Sequence, residues 1–418
     1  MDADARSKRA MTRALVAGGL GLGLALALAS TASRSRSKRQ GKRLTHDAWY
    51  SALDVDGRVG KLQDVRMEAL EGGIPHSLRA EVWPVLLGVR EVSSTSVEHE
   101  QGKRARRERY REFRRRCAEL EAMLSKPVGK GPVKLPSDLG TFTEASKVIA
   151  NDAPRTPLAY GLFARDWEAG TLPGENDEAD WQAAQRKRLT RVLEAYSILD
   201  PAIGYTQGMS DLAAVFLQNI SDESEAFWCF AKFMGGSYRC HFLINPNESA
   251  RSSDERPEGV SDRLRMVSEI IRIVDTPMHK HLKFLNAHEG TFAVRPVLVL
   301  MSRELAERET ELLWDALIAA GDFDPTVKKG EKLAGGGARL FLHIVAAALI
   351  DMRSQIMACK KFDELLKMIA RKLPARNFAA HDLVQKGRQL MRLTRGIGEA
   401  REVGSGGSPA TLTLRDLR

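Results

Sequence analysis

The chain has 418 residues, of which 43% are hydrophobic and 28% are charged, and its net charge is +10. This length allows one large domain or two ordinary ones, and the composition excludes a chain that is disordered throughout. Residues 1–43 contain ten Lys or Arg and two Asp, a charge of +8, so the other 375 residues contribute only +2. A basic nucleic-acid-binding domain carries its charge on the fold, and we therefore expect no nucleic-acid partner.

An apolar run covers residues 14–33, between Arg13 and Arg34, with 20 residues and no ionisable side chain. As a helix it would be about 30 Å long, close to the hydrocarbon thickness of a bilayer. Four glycines and a polar end weaken this helix. Three interpretations stay open for residues 1–43: an uncleaved membrane anchor, an organelle-transit or secretory signal, and a disordered tail.

The four cysteines of the chain include no C-x-x-C pair. So few cysteines in a chain this long are typical of a reducing compartment. Metal ligation through Cys229, Cys240 and His241 is disfavoured because their spacing does not match that of a zinc site. We expect buried, reduced thiols and no metal.

Apolar residues recur with helical spacing from Trp49 onward, and strand-like alternation is nearly absent. The pattern predicts an all-α fold of many helices in two lobes, preceded by the possible membrane helix. The predicted organisation is a lead-in at 44–71, a domain at 72–395 with lobes at about 72–240 and 241–395, and a flexible tail at 396–418.

A basic run covers residues 103–116, with nine Lys or Arg against Glu108 and Glu112. Such a run can contact nucleic acid or lipid headgroups. We favour a solvated helix face, because only Tyr110 and Phe113 could stack on bases.

The sequence lacks the G-x-x-x-x-G-K-[ST], H-E-x-x-H and G-x-S-x-G patterns of nucleotide-binding, zinc-dependent and serine-hydrolase sites. Two other short patterns stand out. Residues 149–155, IANDAPR, fit I-x-x-D-x-x-R, and residues 205–208, YTQG, fit Y-x-Q-G. They follow the segments GGIP at 72–75 and VWPVLLG at 82–88, and they precede REL at 303–305.

In their order and spacing these segments resemble the TBC domain family of Rab GTPase-activating proteins, over roughly residues 49–393. The resemblance implies an activator that lends catalytic residues to a GTP-bound Rab protein and hydrolyses no GTP by itself. Arg155 would be the arginine finger, and Gln207 would position the attacking water. GTP and Mg²⁺ would be held by the partner, so we expect no cofactor of the chain's own.

The resemblance also suggests supporting residues around the two fingers. Asp152 would brace the loop or the guanidinium of Arg155, and Tyr205 would fix the turn before Gln207. Ile149 and Gly208 complete the two motifs. For Arg79 two roles stay open: steadying the Arg155 loop or contacting the GTPase.

Two features of the second lobe depart from the family pattern: Pro296 stands where relatives usually have tryptophan, and Ala306 where an aromatic residue is common. Both are expected to lie away from the fingers and to affect partner choice or helix geometry more than chemistry. The insertion at 321–337 is likewise expected to affect partner choice or helix geometry more than chemistry.

The resemblance places the protein in vesicle trafficking, on the cytosolic face of an endomembrane, with residues 14–33 as a possible anchor. The alternatives are a soluble cytoplasmic protein and an organelle-targeted one. A different functional class also stays open: a membrane-tethered scaffold that binds Rab proteins and accelerates hydrolysis only weakly.

Overall fold

The computed structural model describes residues 42–125, 136–157, 175–236, 238, 242, 259–321 and 336–402. The predicted anchor at 14–33, most of the insertion at 321–337 and residues 403–418 of the predicted tail lie outside these ranges. Within the described ranges the only strand-like pairing is one isolated bridge between Leu53 and Val59. The prediction of an all-α fold is therefore confirmed.

The described helices are, in chain order, α1 His46–Ser51, α2 Leu62–Gly72, α3 His76–Leu86, α4 Ser96–Leu124, α5 Leu139–Asp152, α6 Glu175–Leu199, α7 Met209–Asn219, α8 Glu223–Met234, α9 Val260–Val274, α10 Thr276–Phe284, α11 Val294–Leu298, α12 Glu307–Ala320, α13 Gly336–Asp351, α14 Arg353–Ala358, α15 Phe362–Lys372 and α16 Ala380–Glu402. Short 3₁₀ turns occupy Ala153–Arg155, Thr291–Ala293 and Pro374–Arg376. No helix of the described ranges is both long and apolar enough to cross a bilayer.

The helices form two packing groups. In the first, α4 to α8 pack on one another, and in the second, α9 packs with α13 and α16. Helices α2 and α3 join the groups, because α2 packs on α12 while α3 contacts α7, α8 and α12. The main hydrophobic core runs through both groups without interruption.

Helix α7 lies at the centre of this arrangement. All of its residues except Gln218 are buried, including the polar Ser210, Asp211 and Asn219. It packs against α6 and α8. The start of α7 is therefore rigidly held, which matters because Gln207 lies two residues before it.

Helix α4 contains the basic run, and its structure corrects the expectation of a merely solvated face. Arg106 pairs with Glu225 on α8, with 2.9 Å between Nε and Oε1, and Arg114 pairs with Glu194 on α6, with 2.8 Å between Nη1 and Oε2. Other arginines of the run, including Arg111, do face solvent. The basic run thus also connects α4 to α6 and α8 through ion pairs, and the local sequence pattern does not predict these partners.

Three cysteines fall within the described residues, Cys117, Cys229 and Cys359, and each is a buried free thiol. Burial raises the pKa of the Cys229 thiol well above its ordinary value, which disfavours the reactive thiolate. In the part of the chain that the structure describes, no group of three or more His, Cys, Asp or Glu side chains is placed to hold a metal ion.

Candidate functional site

The loop that carries Arg155 begins where α5 ends. Ile149 on the last turns of α5 is fully buried and anchors the helix in the core. The 3₁₀ turn that follows contains Pro154, whose ring fixes the backbone angle φ, and the backbone N–H and hydroxyl of Thr156 both donate to the carbonyl of Asp152 at 3.0 Å. Arg155 itself is exposed and has no hydrogen bond or ion pair with any described residue. The backbone of Arg155 is thus restrained, while its guanidinium is exposed and can donate hydrogen bonds to another molecule.

The loop that carries Gln207 precedes α7. Gly208 is the residue before the helix, and its φ of 103° lies in the left-handed region. A Cβ at this position would lie 3.2 Å from Cδ2 of Leu298, so both conformation and space favour glycine. Gln207 is exposed. It stands beside the N-terminus of a buried helix, where the helix dipole favours negative charge.

The two loops are joined at their bases by one buried hydrogen bond. The hydroxyl of Tyr205 donates to Oδ2 of Asp152 at 2.9 Å, and both side chains are buried, at 9% and 8% exposure. Burial, above all, raises the pKa of Tyr205, which keeps the phenol protonated as a donor. Since Arg155 lies three residues after Asp152 and Gln207 two residues after Tyr205, this bond ties together the segments that carry both fingers.

A second contact, in the first turn of the helix that follows Gln207, was not predicted from the sequence. Arg303 forms a bidentate ion pair with Asp211 in the first turn of α7, with 2.7 Å from Nε to Oδ1 and 3.0 Å from Nη2 to Oδ2. Burial raises the pKa of Asp211, and the pairing with Arg303 acts in the opposite direction. Arg303 begins the REL segment and Asp211 follows the Y-x-Q-G motif by three residues, but nothing in the sequence pairs two residues 92 positions apart.

The segment that follows Pro296 lies against the turn at Gly208, closer to the Gln207 loop than expected of this part of the second lobe. Leu298 follows Pro296 by two residues and lies against Gly208. The next two residues after Val299, Leu300 and Met301, are buried with φ of 49° and 57°, a rare conformation for non-glycine residues. This turn leads the chain to Arg303, so the stretch from Leu298 to Arg303 contacts both Gly208 and the first turn of α7.

Arg79 fits neither of its two predicted roles. Its side chain on α3 is 2% exposed, and its guanidinium is surrounded by acceptors from three other side chains. These bonds run to Asp315 (Nη2 to Oδ2, 2.9 Å), Glu311 (Nη1 to Oε2, 2.6 Å) and Asn219 (Nη1 to Oδ1, 3.1 Å). Arg79 therefore joins α3, α7 and α12 from inside, and burial keeps it from any partner protein.

The arrangement lends itself to completing the active site of another molecule. It offers one exposed guanidinium and one exposed amide on two braced loops. A guanidinium stabilises developing negative charge, and an amide can orient a water through donor and acceptor atoms.

Comparison with known proteins gives a consistent result. A family model described as the Rab-GTPase-TBC domain matches residues 168–369, a range that includes Gln207 and begins after Arg155. Rab GTPase-activating protein 22 of Arabidopsis thaliana is 28% identical, across 78% of this chain and 76% of that protein. TBC1 domain family member 16 of Homo sapiens is also 28% identical, across 66% of this chain and 31% of that protein, so the match spans about a third of the human relative's length.

The solved structures add the fold. The crystal structure of the Ypt/Rab-GAP domain of Gyp1p superposes with a TM-score of 0.55 at 18% sequence identity, covering 82% of this chain and 95% of that one. At this identity the similarity shows a shared fold alone.

Proposed function

Because this chain belongs to the TBC domain family of Rab GTPase-activating proteins, we propose that it accelerates GTP hydrolysis by a Rab-class GTPase, which it binds in the GTP-bound state. The observation that carries this proposal is the buried bond between Tyr205 and Asp152. It joins two loops that each expose one residue of the kind that the reaction needs, Arg155 and Gln207.

The chemistry gives each finger a distinct task. Hydrolysis spreads negative charge over the transferring phosphoryl group, and an arginine supplied in trans typically raises the rate by about 10³ to 10⁵. Arg155 would stabilise that charge. Gln207 would hold the attacking water in line. The GTPase would supply both GTP and Mg²⁺, so the chain needs no cofactor of its own.

The restraints on both loops support these separate roles of Arg155 and Gln207. The turn at 153–155 is held by Pro154 and by the bonds of Thr156 to the Asp152 carbonyl, so little backbone freedom is lost when Arg155 enters the partner's site. The backbone after Gln207 is held by the contact of Gly208 with Leu298 and by the ion pair of Arg303 with Asp211. Preorganised groups of this kind stabilise a transition state at little cost in reorganisation.

The test is single-turnover GTP hydrolysis by a panel of Rab proteins with the full chain. At least one Rab should be accelerated, and Arg155→Ala should lower that rate by about 10³ or more, with a smaller loss for Gln207→Ala. Arg376→Ala is a matched control, because Arg376 is also an exposed arginine that ends a proline-containing 3₁₀ turn. Gln385→Ala, on an exposed position of α16, is the control for the glutamine.

Acceleration of no Rab by the parent, or equal rates for the parent and both finger variants, would refute the catalytic proposal. Binding of a GTP-loaded Rab without acceleration would instead favour the scaffold alternative.

We further propose that residues 14–33 hold the protein on the cytosolic face of an endomembrane, consistent with a role in vesicle trafficking. The run of 20 residues without an ionisable side chain supports this. Full-length chain should stay in the membrane fraction after alkaline extraction, whereas a chain that starts at Lys42 should be released. Release of both would contradict an anchor.

A further inference from the structure

A cavity of about 340 Å³ lies beside the Arg155 loop, between α4, α5 and α6. Its charged lining consists of Arg114, Arg186, Lys187, Arg191, Glu121 and Glu194. We call this site the basic cavity. We propose that it receives an acidic side chain of the partner GTPase, and this inference rests on the proposed function.

The basic cavity borders the Arg155 loop. Ala153 and Pro154 form part of its wall, and the next residue along the chain is Arg155. A protein that receives the Arg155 side chain would therefore come close to this wall. The basic cavity thus borders the surface that the proposed function assigns to the GTPase.

Two of the arginines that line the basic cavity are paired with carboxylates. Arg114 is neutralised by Glu194, at 2.8 Å, and Arg191 by Glu223, with 2.9 Å between Nε and Oε1. Arg186 donates only to the amide oxygen of Gln182 at 3.2 Å, and its Nε has no acceptor in the described part of the chain.

Lys187 is exposed and pairs with no described carboxylate. Among the described residues, no carboxylate therefore pairs with Arg186 or Lys187, and no cation pairs with the lining acid Glu121. Together with Arg155, which follows the wall residue Pro154, Arg186 and Lys187 make the surface around the basic cavity positively charged.

The chemistry of the lining selects the occupant. The cationic groups of Arg186 and Lys187 and the hydroxyl of Thr190 can donate hydrogen bonds to an oxygen acceptor. Glu121 and Glu194 disfavour a multiply charged phosphate, because like charges in one site repel. A single carboxylate takes the available donors with less repulsion. Charge complementarity of this kind mainly raises the association rate and selects among partners.

The test separates docking from catalysis. We would measure kcat and KM for a GTP-loaded Rab that the parent accelerates, using the full chain and the variant Arg186→Glu/Lys187→Glu. We expect KM to rise about tenfold or more with kcat within twofold, because like charges would then meet across the interface. The parent's KM should also rise more steeply with NaCl concentration than the variant's.

Lys280→Glu/Lys283→Glu is the control. It reverses the same charge on exposed positions of α10, which packs on α9 of the second packing group, and should leave KM unchanged. Among acidic-to-lysine variants of the Rab surface, at least one should restore KM with the Arg186→Glu/Lys187→Glu chain while impairing the parent.

Three outcomes would overturn the inference: an unchanged KM, an equal rise in the α10 control, and failure of every Rab variant to compensate. If the Arg186→Glu/Lys187→Glu variant lost binding to phosphatidylserine vesicles without a change in KM, the basic cavity would be a lipid site, and the inference would also be overturned. Each leaves the proposed function standing if Arg155→Ala still abolishes acceleration. Failure of the parent to accelerate any Rab would instead overturn the proposed function.

Discussion

Arg155 ends the I-x-x-D-x-x-R motif, Arg79 lies between the GGIP and VWPVLLG segments, and the structure puts the two arginines in opposite surroundings. Arg155 is exposed at the end of a 3₁₀ turn and pairs with no described residue. Arg79 is 2% exposed and is bonded to Asp315, Glu311 and Asn219. An arginine that is to act on another molecule must keep its donors unused, whereas one that holds helices together must use them. The two residues should therefore fail in different ways when they are removed.

The largest expected contrast is between Arg79→Ala and Arg155→Ala. Arg79→Ala should lower the free energy of unfolding by about 3–5 kcal/mol, because it leaves two carboxylates buried without their cation. Arg155→Ala should leave stability unchanged while abolishing most of the acceleration of hydrolysis. Urea unfolding measures the first effect, and single-turnover hydrolysis the second. Similar urea midpoints for Arg79→Ala and the exposed control Arg376→Ala would contradict the structural role of Arg79.

A smaller effect is expected at the bond between the finger loops. Tyr205→Phe leaves the buried Asp152 carboxylate without its donor, which should cost about 1–3 kcal/mol of stability. It should also lower kcat for Rab activation several-fold, because both fingers lose a restraint. Tyr50→Phe is the matched control, since Tyr50 donates to Glu81 at 3.3 Å on the exposed surface. Equal kcat and equal melting temperature for the two variants would show that the bond does not position the loops.

The smallest effect concerns pH and the basic run on α4. Hydrogen bonds from Arg116 hold the pKa of Asp138 below its ordinary value. Asp138 is the group whose folded-state pKa is depressed. Its contribution is therefore present above the unfolded pKa and disappears as pH falls through the folded one.

Because the pair is partly exposed to solvent, its contribution to stability is small. Arg116→Ala should thus lower stability near neutral pH and have no effect at a pH where Asp138 is protonated. Urea unfolding across the acidic range, with Arg111→Ala as the solvent-exposed control, measures this difference. A loss for Arg116→Ala that is the same at every pH would contradict the assignment.

The sequence alone determined the features that depend on neighbouring residues. Helical periodicity predicted the all-α class, and α7 begins at Met209, directly after the Y-x-Q-G motif whose glycine the left-handed turn requires. The two motifs singled out Arg155 and Gln207, and both are exposed. These properties follow from spacing within a few turns of chain, which a single sequence displays directly.

Only the tertiary structure decided which charged and polar groups meet. The bond from Tyr205 to Asp152 spans 53 residues, and the pair of Arg303 with Asp211 spans 92. The same holds for the burial of Arg79 and for the pairing of Arg106 with Glu225. Such contacts depend on how distant helices pack, and helical periodicity shows only which face of a helix is buried, not what that face meets.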